Sequence, residues 1–418
     1  MFHCDTPGLL PIAQALEAQL KTVQPVTETE TIAIHQALGR IVATSINSPI
    51  PVPLDDNSAM DGFAFKFPEN SADGNDDSPS FELTLIGESF AGHPFSGSIT
   101  DGQCVQIMTG AVIPQGADTV VMQENITRID EDKIRIDHMP TAQQNVRFRG
   151  EDISKGQEVV ATGARLTAAH LSLLASVGVA EIDVFRKPRI AVIATGDELK
   201  APGQPVNTGE IYESNRIGLI AMLQKLNVDI VDMGTLPDDK EIIKAAFEKA
   251  DQECDWVISS GGVSVGEADY VKEVLAELGQ IDFWKVAIKP GKPYAFGKLP
   301  NSLFSGLPGN PVSSFVTFMQ LVVPVLRKLA GEQHKAPVYL NAVAIQAISK
   351  RPGRADYQRG KFFVDNHGHI QVSPQTKQGS NMMSSFIDAN CFIVLEQDRG
   401  SVQQGEKVQI LPFDAILQ

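Results

Sequence analysis

The chain has 418 residues, 43% of them hydrophobic and 21% charged, and a formal net charge of −16 at neutral pH. At roughly 150 residues per domain this length predicts two to four domains, and the acidic balance argues against sequence-independent nucleic-acid binding, which needs a basic surface. No apolar run is expected to span a membrane, since Phe315 to Leu329 is interrupted by Gln320 and Pro324, and the N-terminus lacks a basic segment followed by an apolar core.

Along the chain, residues 9 to 40 read as helix, because LLPIAQALEAQL carries apolar residues at helical spacing. The Pro-rich stretch 48 to 57 reads as extended, and the acidic segment 68 to 80 as a surface loop. From about 81 to 140, short β runs (FELTLIG, CVQIMTG, DTVVMQENITRI, KIRIDH) predict a small all-β unit. A helix follows, opening at the N-cap Thr167 and ending at Gly178. From 188 the grammar changes to RIAVIAT, VDIVDMGT, DWVISS and SLFSGL with helical segments between, which predicts a parallel sheet with helices on both faces. Beyond 335 the short β runs return and read as a β-barrel.

The cysteines, Cys4, Cys104, Cys254 and Cys391, are far apart and form no CxxC pair, which fits a reducing cytoplasm. His367-Gly-His369 reads as an exposed hairpin turn in preference to a metal site.

Ligands of doubly wound sheets bind beyond the carboxyl ends of the strands. Four loops fall there: Thr195–Glu198, Thr235–Asp239, Ser259–Gly266 and Ser305–Pro311. In the third, Gly261 and Gly262 free backbone N–H groups for an anion, with Ser260 and Ser264 as hydroxyl donors. In the fourth, Asn310 suits an N-cap and Pro311 a first helical turn. The acids Asp197, Glu198, Asp238 and Asp269 would repel a phosphate on this edge unless a hard cation such as Mg²⁺ intervenes. In FWKVAIKPGKPYAFGK an extended run would put Lys285 and Lys289 on one face, with Lys292 reaching from the turn, enough charge for an oxyanion. Elsewhere, DDNSAMDGFAF presents Asp55, Asp56 and Asp61, RFRGEDIS sets Arg147 and Arg149 beside Glu151 and Asp152, and the last region offers Arg354 and Arg359 with Ser380, Ser384 and Ser385.

Taken together, DNSAMDG, MTGA, RFRGEDI, TGDEL, SSGGVSVGEADY, KVAIKPGKP, GLPGNPVS, YQRG and QGS resemble, in order and over essentially the whole chain, the molybdopterin molybdenumtransferase (MoeA) and gephyrin E-domain family. The resemblance implies a multidomain α/β plus β fold. Its parts would be a helical and β linking domain (1–55 and 146–186), an inserted β domain (56–145), a MogA-like α/β molybdopterin-binding domain (187–332) and a C-terminal β-barrel (335–418). It implies an enzyme that inserts molybdate into adenylylated molybdopterin and releases AMP, with Mg²⁺, downstream of a molybdopterin adenylyltransferase. It implies a homodimer whose site lies between subunits, with neither nucleic acid nor membrane as partner. By motif, Glu198, Asp238 and Asp269 match reaction acids, here assigned to Mg²⁺. Gly261, Gly262, Ser264, Lys285, Pro308, Asn310 and Pro311 match the pterin and phosphate pocket. Lys289, Lys292, Arg359 and Ser380 resemble the molybdate set. Asp61 and Asp152 match acids supplied in trans, and Lys285 and Lys289 join the catalytic group. The alternatives are a molybdopterin adenylyltransferase and a non-catalytic, gephyrin-like scaffold.

Overall fold

The computed structural model describes residues 8–68, 81–262, 270–333, 335–413 and 417, with the Phe283 side chain left aside. Ser264, Asp269, Cys4 and nearly all of the acidic 68–80 loop lie outside the described residues.

The first helix is shorter than its periodicity suggests. It spans Ile12–Thr22 and gives way to a strand, Thr29–Ala33, that pairs antiparallel with Glu181–Phe185. Pro25 and the β-branched run that follows explain the change: neither favours helix, and the run finds a strand partner. After the Pro-rich stretch the chain enters a six-stranded sheet in the spatial order Thr119–Met122, Gly62–Phe65, Gln103–Ile107, Phe81–Ser89, Lys133–Ile136, Ile126–Arg128. Entry and exit are clamped together, because Asn57–Ser58 pairs with Val146–Arg147. The following helix, Ala168–Ser176, is capped by Thr167, whose hydroxyl accepts the His170 N–H while His170 Nδ1 accepts the Thr167 N–H. It stops at Gly178, whose φ is +79°.

The α/β region is built on a second six-stranded sheet, ordered Asp229–Leu236, Arg189–Thr195, Trp256–Ser260, Leu303–Leu307, Pro293–Lys298, Gln280–Lys285. The first four strands are parallel, while Pro293–Lys298 runs antiparallel to both of its neighbours. The sheet is therefore mixed. The short link between Lys285 and Pro293 contains no helix, and a parallel return would need a crossover of a dozen or more residues. Along Arg189–Thr195 alternate side chains feed two cores. Ile190 and Val192 pack with Leu219, Val316 and Phe318, and Ala191 and Ile193 with Ile243, Phe247 and Val274. Both faces are thus covered, which is why these strands read as continuous apolar runs.

The helix Pro311–Leu329 continues past Pro324 through a π-helical turn at Phe318–Val322. Among the described residues it is the one helix that by length and composition alone could cross a membrane, and 67% of its most apolar window is buried inside the protein, as in a core helix. The proline sits where a widened turn relieves its missing N–H. The last region closes a five-stranded barrel through Ala355–Val364, Ile370–Pro374, Leu340–Ala344, Lys407–Pro412 and Cys391–Leu395, with Cys391–Leu395 pairing back to Ala355–Val364.

Two charged residues tie the parts together. Arg165 binds Glu332 at 2.7 Å and the carbonyl of Gly39 at 2.8 Å. Asp251, buried at the end of its helix, accepts the backbone N–H groups of Asn301 and Ser302 at 3.0 and 2.9 Å and the Ser302 hydroxyl at 2.7 Å, which fixes the turn into Leu303–Leu307. Asp251→Ala would leave the Ser302 N–H and hydroxyl buried without an acceptor and is expected to cost about 2–4 kcal/mol, read as a lower urea midpoint with an unchanged slope.

Candidate functional site

The carboxyl ends of the four parallel strands open into one cleft of about 910 Å³. Gly196 and Glu198 follow the first strand in the chain, Asp238 the next, Gly261 and Gly262 the third, and Pro308, Asn310 and Pro311 the fourth. Three helices begin at this cleft, at Asn215, Tyr270 and Pro311. A helix start offers unpaired N–H groups and the positive end of its dipole, so three of them around one cavity make it a seat for anions.

The glycine turn is required by geometry. Gly261 and Gly262 have φ of +100° and +68°, and a Cβ at Gly262 would run into the Val271 side chain. The Gly261 N–H donates to the Leu307 carbonyl at 3.1 Å, which holds the turn against the next loop.

The acid loops are laced together. The Asp238 N–H donates to Asp197 Oδ1 at 3.1 Å, and the Asp197 N–H to Asp238 Oδ2 at 3.4 Å. The Glu198 carboxylate lies against Gly196, at a place that a Cβ on Gly196 would occupy. Glu198 and Asp238 are both exposed, and among the described residues no lysine or arginine pairs with either.

Asn310 takes the N-cap position of its helix, but its side chain makes no capping bond. It lines the cleft instead. The capping role expected of it is filled in part from outside, where the N–H of Val312 donates to the Ser380 carbonyl at 3.0 Å.

The basic set is arranged differently from the sequence expectation. Lys285 ends the strand Gln280–Lys285 and pairs with Pro293, whereas Lys289 belongs to a two-residue strand, Ile288–Lys289, joined to the barrel strand at Ala355 and Asp356. They sit in different sheets because the extended run breaks at Val286, where the Leu10 strand bridge intervenes. The Lys289 ammonium is 2.8 Å from the buried Asp356 carboxylate. Arg359, read from the sequence among surface arginines, is 1% exposed. Its Nε donates to Ser385 Oγ at 2.9 Å and one terminal nitrogen to the Gly379 carbonyl at 3.2 Å. Burial pushes its pKa down to about 10. Arg359 thus holds the loop that ends in Ser380. None of Lys285, Lys289, Lys292, Arg359 and Ser380 lines the cleft itself, but Pro293 and Asn381, next in sequence to two of them, do.

Asp61 and Asp152 gather elsewhere. The motifs around them, far apart in sequence, meet through the pairing of Asn57–Ser58 with Val146–Arg147 and through the bond from the Arg149 N–H to Asp56 Oδ1 at 2.7 Å. Asp61 Oδ1 accepts both the N–H and the hydroxyl of Thr109 at 2.7 Å, and these bonds hold its carboxyl below the ordinary range. Within one chain this group does not line the cleft.

Residues missed by sequence reasoning include Tyr212 and Asn215. The Asn215 amide donates to the Gly309 carbonyl at 2.7 Å, while its Oδ1 is buried with no hydrogen-bond partner. Both belong to or follow a two-residue strand too short to leave a periodic signal. Among the described residues no group of three or more His, Cys, Asp or Glu is placed to hold a metal, and His369 stays exposed, 3.7 Å from Asp365.

The fold and cleft define a multidomain α/β protein with its cleft at the carboxyl edge of a mixed sheet and β units before and after it. Residues 10–178 match the MoeA N-terminal region (domain I and II), 191–328 a probable molybdopterin binding domain, and 341–413 the MoeA C-terminal region (domain IV). A molybdopterin molybdenumtransferase of Haemophilus influenzae is 46% identical over 98% of this chain and 100% of its own length. Gephyrin of Dictyostelium discoideum is 31% identical over 97% of this chain and 62% of its own. The crystal structure of a molybdopterin biosynthesis MoeA protein from Pyrococcus horikoshii superposes with a TM-score of 0.83 at 30% identity, over 97% of this chain and 100% of that one. The chain belongs to the molybdopterin molybdenumtransferase (MoeA) family.

Two substitutions probe this geometry. Gly196→Ala should displace the Glu198 carboxylate and, because Gly196 holds a φ of +146° that alanine rarely adopts, also lower the melting temperature; a crystal structure with Glu198 unmoved would refute the steric argument. Thr109→Val removes the hydroxyl bond and keeps the backbone one, so it should raise the Asp61 pKa part of the way toward its ordinary value, followed by carboxyl ¹³C NMR. By the same sign, whatever stability Asp61 contributes is present above its unfolded pKa and is lost as pH falls through its lowered folded one.

Proposed function

We propose that this protein inserts molybdate into adenylylated molybdopterin, releasing AMP and molybdenum cofactor. The observation that carries the reading is the convergence of a glycine turn, three helix starts and two carboxylates on one cleft, in a chain similar along its whole length to molybdopterin molybdenumtransferases. The matched N-terminal and C-terminal regions favour this over an adenylyltransferase, for which the α/β region alone would suffice.

The cleft can seat the phosphates on the Gly261–Gly262 turn and the helix starts, with Pro308 and Pro311 keeping the neighbouring loop rigid. Glu198 and Asp238 fit a hard divalent cation, since both are oxygen donors on one cavity without a described cationic partner. With Asp269 they would hold Mg²⁺, which when bound draws charge from the phosphate oxygens. Lys285, Lys289, Lys292, Arg359 and Ser380 would place molybdate beside the pterin, so that a collision of two anions becomes a fixed approach. The bond between sulfur and molybdenum forms on the substrate and needs no protein thiol; the described cysteines are buried.

Asp61 and Asp152 enter this scheme through a homodimer, with their exposed constellation closing the cleft of a second copy. A cytoplasmic location and supply of substrate by a molybdopterin adenylyltransferase belong to the same proposal.

The test is AMP release from adenylylated molybdopterin. It should require both molybdate and Mg²⁺, and Asp238→Asn should lower it by about 100-fold or more if the acid helps stabilise transition-state charge. Release that ignores molybdate, or an undiminished rate in the variant with its fold intact, would overturn the assignment.

A further inference from the structure

The polar part of the cleft accounts for phosphates but leaves open how a flat ring is held. Five consecutive residues, Ile211 to Asn215, line the cavity. They start in a two-residue strand, Ile211–Tyr212, that pairs with Leu199–Lys200, and they end at a helix start. Among the described lining residues the aromatic rings are those of Tyr212 and Tyr270.

Tyr212 is 51% exposed, yet its backbone and hydroxyl are fixed. The Ile211 N–H donates to the Glu198 carbonyl at 2.8 Å and the Glu213 N–H to the Lys200 carbonyl at 2.9 Å, one on each side of Tyr212. Lys200 and Glu210 close the base of the flap at 3.2 Å. The phenol donates to the Gln204 carbonyl at 2.9 Å. A tyrosine that donates its hydroxyl proton to its own loop has its ring, and an acceptor oxygen turned toward that loop's bond, to offer a ligand. A ring held at both ends also loses little freedom on binding.

We propose that Tyr212 is the wall on which a flat nitrogen heteroaromatic ring of the substrate stacks. This rests on the functional reading above, which supplies two such rings, pterin and adenine. The wall is continuous through Ser214 and Asn215 with the helix start, so a ring on Tyr212 has its attached phosphate directed to the anion seat. The strand pairing also ties the ring wall to the backbone of Glu198, so that ring and acid are held in one frame.

Calorimetric titration of the full-length protein with AMP alone and with a free pterin alone separates the two rings. Tyr212→Ala and Tyr212→Leu should weaken one of the probes by roughly 5- to 100-fold, the range of base–aromatic stacking. Tyr212→Phe, which keeps the ring, should stay within about threefold. The probe that weakens identifies the ring. Unchanged affinity for both probes in the Ala and Leu variants, with wild type binding, overturns the stacking and leaves the functional reading standing. A loss in the Phe variant as large as in Ala assigns the effect to the hydroxyl and also overturns it. A lower solution mass in the Leu variant would show the ring covered by a second copy, and the stacking proposal would fall with it. A wild type that binds neither probe removes the functional reading and this proposal together.

Discussion

Like charges on one edge are the constraint to which the α/β region answers. Three helix starts and a glycine turn prepare the cleft for anions, and Glu198 and Asp238 then place two carboxylates in the same cavity. Unscreened, those groups would oppose a phosphate by several kcal/mol at a few ångströms. The reciprocal bonds between the Asp197 and Asp238 loops hold the acids where they stand. Gly196 keeps the space that Glu198 occupies. A site that only bound phosphate would be weakened by these acids, which is why the proposed reaction places a hard cation between them and the phosphate.

The fold is legible where side-chain period is set by burial. The strands buried on both faces read as apolar runs, and the alternating runs of the barrel lie where expected. Legibility fails where a tertiary partner overrides local pattern. The helical reading of residues 9 to 40 breaks at Pro25, because Glu181–Phe185 offers Thr29–Ala33 a pairing that lies some 150 residues away and cannot be seen locally. The interruption expected at Pro324 fails as well, since a π-helical turn lets the buried apolar helix run on past it.

The candidate site is legible by loop and not by side chain. Gly261, Gly262, Pro308 and Pro311 follow from backbone demands, which glycine and proline announce in any sequence. Lys285 and Lys289 would share one face only in an unbroken strand; a bridge to Leu10 divides the run, and no pattern inside it signals that partner. Arg359 looks like one arginine among many because its burial comes from closure of the barrel around it. Asn310 has the residue type of a cap, but whether its side chain caps or faces a ligand is decided by Ser380, seventy residues further on.

That last contact carries a wider consequence. The acids Glu198 and Asp238 and one lysine, Lys285, are carried by the α/β sheet, while Lys289 is positioned by the barrel through its pairing at Asp356, and Ser380 by the loop that Arg359 holds. These motif residues therefore lie on both sides of a junction between folding units, bridged by the pairing of Ile288–Lys289 with Ala355 and Asp356 and by the bond from the Val312 N–H to the Ser380 carbonyl. With Lys289 matched to Asp356 at 2.8 Å, its charge is already satisfied on the barrel side of the junction. Under the proposed reaction Lys289 would have to share that partner to reach an incoming oxyanion, which would favour a doubly charged ligand over a singly charged one and over water.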